Sequence, residues 1–144
     1  MKITRKYTLG IIGLGHMGTA IARGAVRKEY IERYKIAVYD HSDHAKNDCR
    51  IEGFDNLSSL KELVENSHIV LLAVRPQQVE EVLDEIKDYD IHTLLSIVTG
   101  VSIQHLQSRL NNAPIIRSMP NTPLQINEGA TALCKSENCK ADES

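Results

Sequence analysis

Cysteine is scarce in this 144-residue chain, and its three copies, Cys49, Cys134 and Cys139, are an odd number with neither metal-ligand nor redox spacing. That excludes a disulfide framework and predicts reduced thiols. His41, His44 and Cys49 lack a converging fourth partner, so no metal site is expected. Charge of one sign is missing too: 17 basic and 19 acidic residues are interspersed, for a formal net charge of −2. Such a balance gives no field that would make nucleic acid or an anionic membrane the main partner. No apolar run approaches membrane-spanning length. The basic start Met1 to Lys6 is followed by a stretch that is short, broken by glycine and without a small-residue cleavage pattern. The expectation is a soluble, cytoplasmic protein. Internal repeats, linkers and low-complexity segments are absent, and the length suits one domain able to bury roughly two thirds of its unfolded surface.

What is present begins with a strand-like run, Tyr7-Thr8-Leu9-Gly10-Ile11-Ile12, that breaks into Gly13-Leu14-Gly15-His16-Met17-Gly18. A second strand, Ile36-Ala37-Val38-Tyr39, ends on Asp40. This is the layout of a dinucleotide-binding turn. The first glycine permits the sharp strand-to-helix turn, the second lets backbone approach a pyrophosphate, and the third lets the helix lie close to the sheet. The pyrophosphate would face the N–H groups and positive dipole end of that helix. An acid at the tip of the second strand can accept from ribose hydroxyls, which favours NADH over NADPH. His16 is placed either to hydrogen-bond the cofactor or to face solvent.

Periodicity extends the pattern. Met17, Ile21 and Ala25 predict a buried helical stripe running to about Lys28. Residues 41–50 are loop-like or weakly helical. Ser59 with Glu62 forms a capping-box pattern ahead of Leu60, Leu63 and Val64. His68 to Val74 is a near-continuous apolar run, as in a strand buried on both faces. Pro76 suits a helix start, with Val79, Val82, Leu83 and Ile86 on one face. Thr93 to Val98 is the next strand, and Ser102 caps a helix carrying Ile103, Leu106 and Leu110, with Val101 and Leu106 as a hydrophobic staple. Pro114 to Met119 is a further short strand. Alternation of this kind predicts an α/β, Rossmann-type doubly wound sheet, mainly parallel, with helices on both faces. The domain is expected over residues 1–134, with 135–144 as a tail.

In such sheets ligands sit at the carboxyl ends of the strands. Those positions hold Gly13 to Gly18, Asp40, Ala73 to Gln77, Thr99-Gly100 and Met119 to Thr122. Pro76 fixes its own φ and pushes Arg75 out of the helical region, and Pro120 and Pro123 do the same around Asn121 and Thr122.

With the glycine turn, Ala73-Val74-Arg75-Pro76-Gln77, Ser96-Ile97-Val98-Thr99-Gly100-Val101, Arg117-Ser118-Met119-Pro120-Asn121-Thr122-Pro123 and Asn127-Glu128-Gly129-Ala130-Thr131-Ala132-Leu133, the chain resembles the N-terminal domain of pyrroline-5-carboxylate reductases. The match runs in register over essentially the whole chain. Its specific part is the segment from Met119 to Leu133, since many dehydrogenases share the turn. Departures include His16 for the common asparagine, Arg75 for the usual lysine, Val98-Thr99 for two alanines, and Leu124 to Asn127 for a more apolar stretch.

The resemblance implies hydride transfer from NADPH or NADH to 1-pyrroline-5-carboxylate, giving L-proline. It places Gly13, Leu14, Gly15, His16, Met17, Gly18, Asp40, Ala73, Val74, Arg75, Pro76, Thr99, Gly100 and Asn121 against the cofactor, and Met119, Asn121 and Thr122 against the substrate. It supplies no catalytic side chain, and catalysis would come from orientation. Family members often use NADPH, which His41, Ser42, His44 and Lys46 could serve. The family also carries a second, all-helical domain that builds a homo-oligomer and much of the substrate pocket. Residues 135–144 would begin the connection to it, so the expected active site is incomplete within this chain. Two other readings stand beside this one: a non-catalytic dinucleotide-binding module, and a dehydrogenase of the 3-hydroxy-acid type, against which the Met119 to Leu133 segment argues.

Overall fold

The computed structural model describes residues 5–40, 47, 52–111, 113–120 and 131–135, with the backbone alone at His16, 118–120 and 131–135. Among the described residues seven strands form one sheet: β1 (Tyr7–Ile12), β2 (Ile36–Tyr39), β3 (Asp55–Asn56), β4 (Ser67–Leu72), β5 (Thr93–Ser96), β6 (Ile115–Pro120) and β7 (Thr131–Lys135). Their spatial order is β3-β2-β1-β4-β5-β6-β7. All neighbours pair parallel except β6 and β7, which are antiparallel from Pro120↔Thr131 to Ile116↔Lys135. The chain winds outward from β1 to β3 and then restarts at β4 on the other side of β1. That reversal is the switch point of a Rossmann-type sheet and opens a crevice at the carboxyl ends of β1 and β4.

Four described α-helices cover the sheet: α1 (His16–Arg27), α2 (Leu60–Asn66), α3 (Val79–Ile86) and α4 (Ile103–Arg109). Side chains alternate along a strand, so β1, β2, β4 and β5 each feed two cores. Ala37, Val70, Leu72, Leu94 and Ile115 pack with Leu63, Leu83 and Leu106 of α2, α3 and α4. Leu9, Ile11, Ile36, Val38 and Leu71 pack on the other face with Ala22 of α1. Helices therefore lie on both faces, as the alternation predicts. The caps are formed as well: Ser59 Oγ accepts from Glu62 N–H at 3.2 Å and Ser102 Oγ from His105 N–H at 3.1 Å.

Several expectations shift. The stripe Met17, Ile21, Ala25 is only half-buried, and the buried residues of α1 are the small Gly18, Ala22 and Gly24. A helix that approaches the sheet closely rests on its smallest side chains and flanks them with larger ones. The apolar runs of β4 and β5 leave the sheet at Leu72 and Ser96, earlier than their hydrophobicity suggests. The two-residue edge strand β3 and the antiparallel β7 carry no periodicity strong enough to announce them. Strand β7 reaches Lys135, one residue beyond the expected limit of the domain. Most of 41–50, Asn121, Thr122 and 136–144 lie outside the described residues.

Candidate functional site: a glycine turn at the sheet's switch point

Three hydrogen bonds tie the carboxyl ends of β1, β2 and β4 together. Gly13 N–H donates to Tyr39 O and Ala73 N–H to Ile12 O, each at 2.9 Å. Leu14 N–H donates to Asp40 Oδ2 at 2.7 Å. The glycine turn is thus braced against the tip of β2 by the acid that the sequence offers as an acceptor for ribose. Leu14 closes the brace by burying its own side chain in the core beside α1.

The three glycines do different work. Gly13 has φ +93°, a conformation that a side chain would strain, and so makes the turn. A Cβ on Gly18 would stand 2.9 Å from Gly13 O, so this residue sets how close α1 lies to the strand end. A Cβ on Gly15 would meet nothing within 4 Å. Gly15 is also the N-cap of α1, with no side chain capping the helix and no acid in its first turn. Open space in front of uncapped N–H groups is where an anion is favourably received.

Beside the turn lies a cavity of about 350 Å³. Gly13, Asp40 and Val74 come together in its lining, joined by Tyr39, Leu60, Val82 and the carboxylates Glu81 and Glu85 of α3. Gln78 lines it too, its Oε1 accepting from Arg75 N–H at 3.3 Å. The Tyr39 phenol is held above its ordinary range by burial, and then by Glu85 and Glu81. The apolar side chains suit a flat ring and the acids suit its donors. Arg75 and Pro76 are exposed beyond β4, where Pro76 opens a 3-10 turn (Pro76–Gln78) that leads into α3. Thr99 and Gly100 form an exposed turn after β5, and Met119 lies at the carboxyl end of β6 with its backbone opposite Ala132.

Tyr39, Gln78, Glu81 and Glu85 are absent from the expected site. One signal for the glutamates was available: Glu81 and Glu85 are like charges at i, i+4, an arrangement that weakens a helix. Among the described residues no group of three or more His, Cys, Asp or Glu could hold a metal ion, and no helix is long and apolar enough to cross a membrane.

Residues 8–100, which contain the turn, the switch point and the cavity, match the model of the family described as NADP oxidoreductase, coenzyme F420-dependent. The chain belongs to that family. It is also 35% identical over 136 residues to the pyrroline-5-carboxylate reductase of Aquifex aeolicus (strain VF5), covering 94% of this chain and 50% of that protein. Among solved structures, the pyrroline-5-carboxylate reductase of Coxiella burnetii superposes with a TM-score of 0.86 at 26% identity, covering 96% of this chain and 53% of that one. The pyrroline carboxylate reductase of Plasmodium falciparum, solved with NADP bound, gives 0.82 at 31% identity, covering 97% and 52%. The chain spans about half the length of these relatives.

Proposed function

We propose that the chain is the cofactor domain of a pyrroline-5-carboxylate reductase, and that a dinucleotide lies along the Gly13 to Gly18 turn with its adenosine in the adjoining cavity. The observation that carries this reading is the open space at Gly15, at the N-terminus of α1, the one glycine of the turn where an added Cβ meets no atom of the described residues beyond its chain neighbours within 4 Å. Similarity to reductases over nearly the whole chain supports the reaction class.

When bound, reduced nicotinamide would supply a hydride to the C=N carbon of 1-pyrroline-5-carboxylate whose ring nitrogen carries a proton from solvent, giving L-proline and the oxidised nicotinamide. The residues of the chain hold and orient. N–H groups of the turn and of the first turn of α1 receive the pyrophosphate, while Asp40 keeps the turn in shape through Leu14 N–H. Ala73 to Pro76 and Thr99-Gly100, at the ends of β4 and β5, are assigned to the nicotinamide side. Met119, Asn121 and Thr122 are assigned to the substrate. No nucleophile is required, because positioning of donor and acceptor supplies the rate. In this reading the cofactor domain extends through β7 to Lys135, and a helical partner domain completes the pocket.

A direct test joins this chain to the second half of the Aquifex aeolicus relative and follows reduced-nicotinamide absorbance with 1-pyrroline-5-carboxylate, identifying the product. Turnover to proline is expected, with Gly15→Val raising the cofactor concentration it needs by about ten- to hundredfold. A folded fusion that binds dinucleotide yet never consumes it with this substrate would sink the assignment.

A further inference from the structure

Among the described residues, the charged side chains that line the cavity beside the glycine turn are all acidic. Asp40 stands at the end of β2, Glu81 and Glu85 reach the cavity from α3, and no lysine, arginine or histidine is among the described residues that line it. Arg75 is exposed on the neighbouring loop and is not part of the lining. The two glutamates stand one helical turn apart and share a face of α3. Asp40 is held in place by Leu14 N–H at 2.7 Å, so its charge stays at the foot of the turn.

We propose that Glu81 and Glu85, together with Asp40, select the cofactor by charge, favouring a dinucleotide whose adenosine ribose keeps a free 2′-hydroxyl over one that carries a 2′-phosphate. The inference rests on the dinucleotide reading above, and adds to it the sign of the selection and two residues far along the chain from the strand tip where ribose is ordinarily read. A 2′-phosphate is a dianion near neutral pH and would enter a cavity that already holds three carboxylates. Like charges at such range repel, and the free hydroxyl instead finds acceptors. Exposure of the glutamates weakens the effect through screening, so selection should respond to salt.

The experiment is equilibrium binding of NADH and NADPH to the chain by calorimetry, at low and at physiological salt. NADH is expected to bind more tightly, with a preference that shrinks as salt rises. In the double variant Glu81→Gln, Glu85→Gln, NADPH affinity is expected to improve about three- to tenfold while NADH stays within about twofold. Glu85→Lys provides a second variant and should narrow the ratio as well. Asp88→Asn removes the same charge from an exposed position off the cavity and should leave the ratio alone. Circular dichroism reports whether each variant is folded. Wild-type preference for NADPH, or a ratio unmoved by the folded double variant, overturns the inference and leaves the dinucleotide reading standing. Absence of binding by either dinucleotide overturns both.

Discussion

Replacing Gly15 by valine separates binding from folding, because the three glycines of the turn differ in what surrounds them. Gly15 has φ −98° and ψ −160°, an extended conformation that valine adopts freely, and a Cβ there has no neighbour within 4 Å. Valine is a poorer helix cap than glycine but restricts the unfolded chain more, so the net change in stability should stay within about 1 kcal/mol. The branched side chain fills the space where the pyrophosphate must approach. Losing one charge-assisted hydrogen bond from backbone N–H to phosphate costs about 1.5–3 kcal/mol, which is about ten- to hundredfold in affinity. Gly18→Ala should do the opposite. Its Cβ meets Gly13 O at 2.9 Å, a backbone atom that cannot swing aside, and overpacking of about 1–3 kcal/mol outweighs the gain of about 1 kcal/mol in helix propensity. Calorimetry with NADH and thermal melting on both variants make the comparison. A folded Gly15→Val chain that binds dinucleotide within twofold of wild type would refute the reasoning.

Other outcomes follow from side chains away from the turn. The Tyr7 hydroxyl donates to Asp55 Oδ2 at 2.7 Å, and burial followed by Asp55 pushes its pKa to about 12. Because the raised pKa favours the protonated form, that stability is complete below about pH 10 and lost as pH climbs through about 12. Tyr7→Phe should cost about 1–2 kcal/mol in urea unfolding at pH 7 and flatten the alkaline limb between those values. On the far side of α3, Glu80 accepts from His105 Nε2 at 2.5 Å and pairs with Arg109, which also pairs with Asp84. The hydrogen bond from His105, and then Arg109, hold the Glu80 carboxyl below its ordinary range. Its contribution is present above pH 4.5 and lost as pH falls through the depressed value, so Glu80→Gln should shallow the acid limb of stability. Arg5 donates to the carbonyls of Val64 and Glu65 at the end of α2 and pairs with Asp90 at 2.8 Å. Arg5→Ala should lower stability by about 1–3 kcal/mol, and amide exchange in the last turn of α2 should accelerate.

Local pattern alone determined the parts of this protein that depend on near neighbours. The glycine turn, the strand tips at Asp40 and Ala73, the caps at Ser59 and Ser102 and the α3 stripe are set by steric permission, capping and periodicity, all of which act within a few residues. They announce a doubly wound sheet and the end of it at which a ligand sits. Tertiary structure alone decided which distant residues share that end. Glu81 and Glu85 belong to no local motif and reach the site only because β1, β2 and α3 are brought around one cavity. Asp40 reads as an acceptor for ribose, and only the fold shows that one of its carboxylate oxygens also braces the turn through Leu14 N–H. The face of α1 that touches the sheet was misjudged for a similar reason: hydrophobicity ranks Met17 and Ile21 first, whereas contact distance favours Gly18 and Ala22. Strands β3 and β7 belong to the same class, because their pairing is a long-range bargain between backbones that leaves almost no trace in side-chain periodicity.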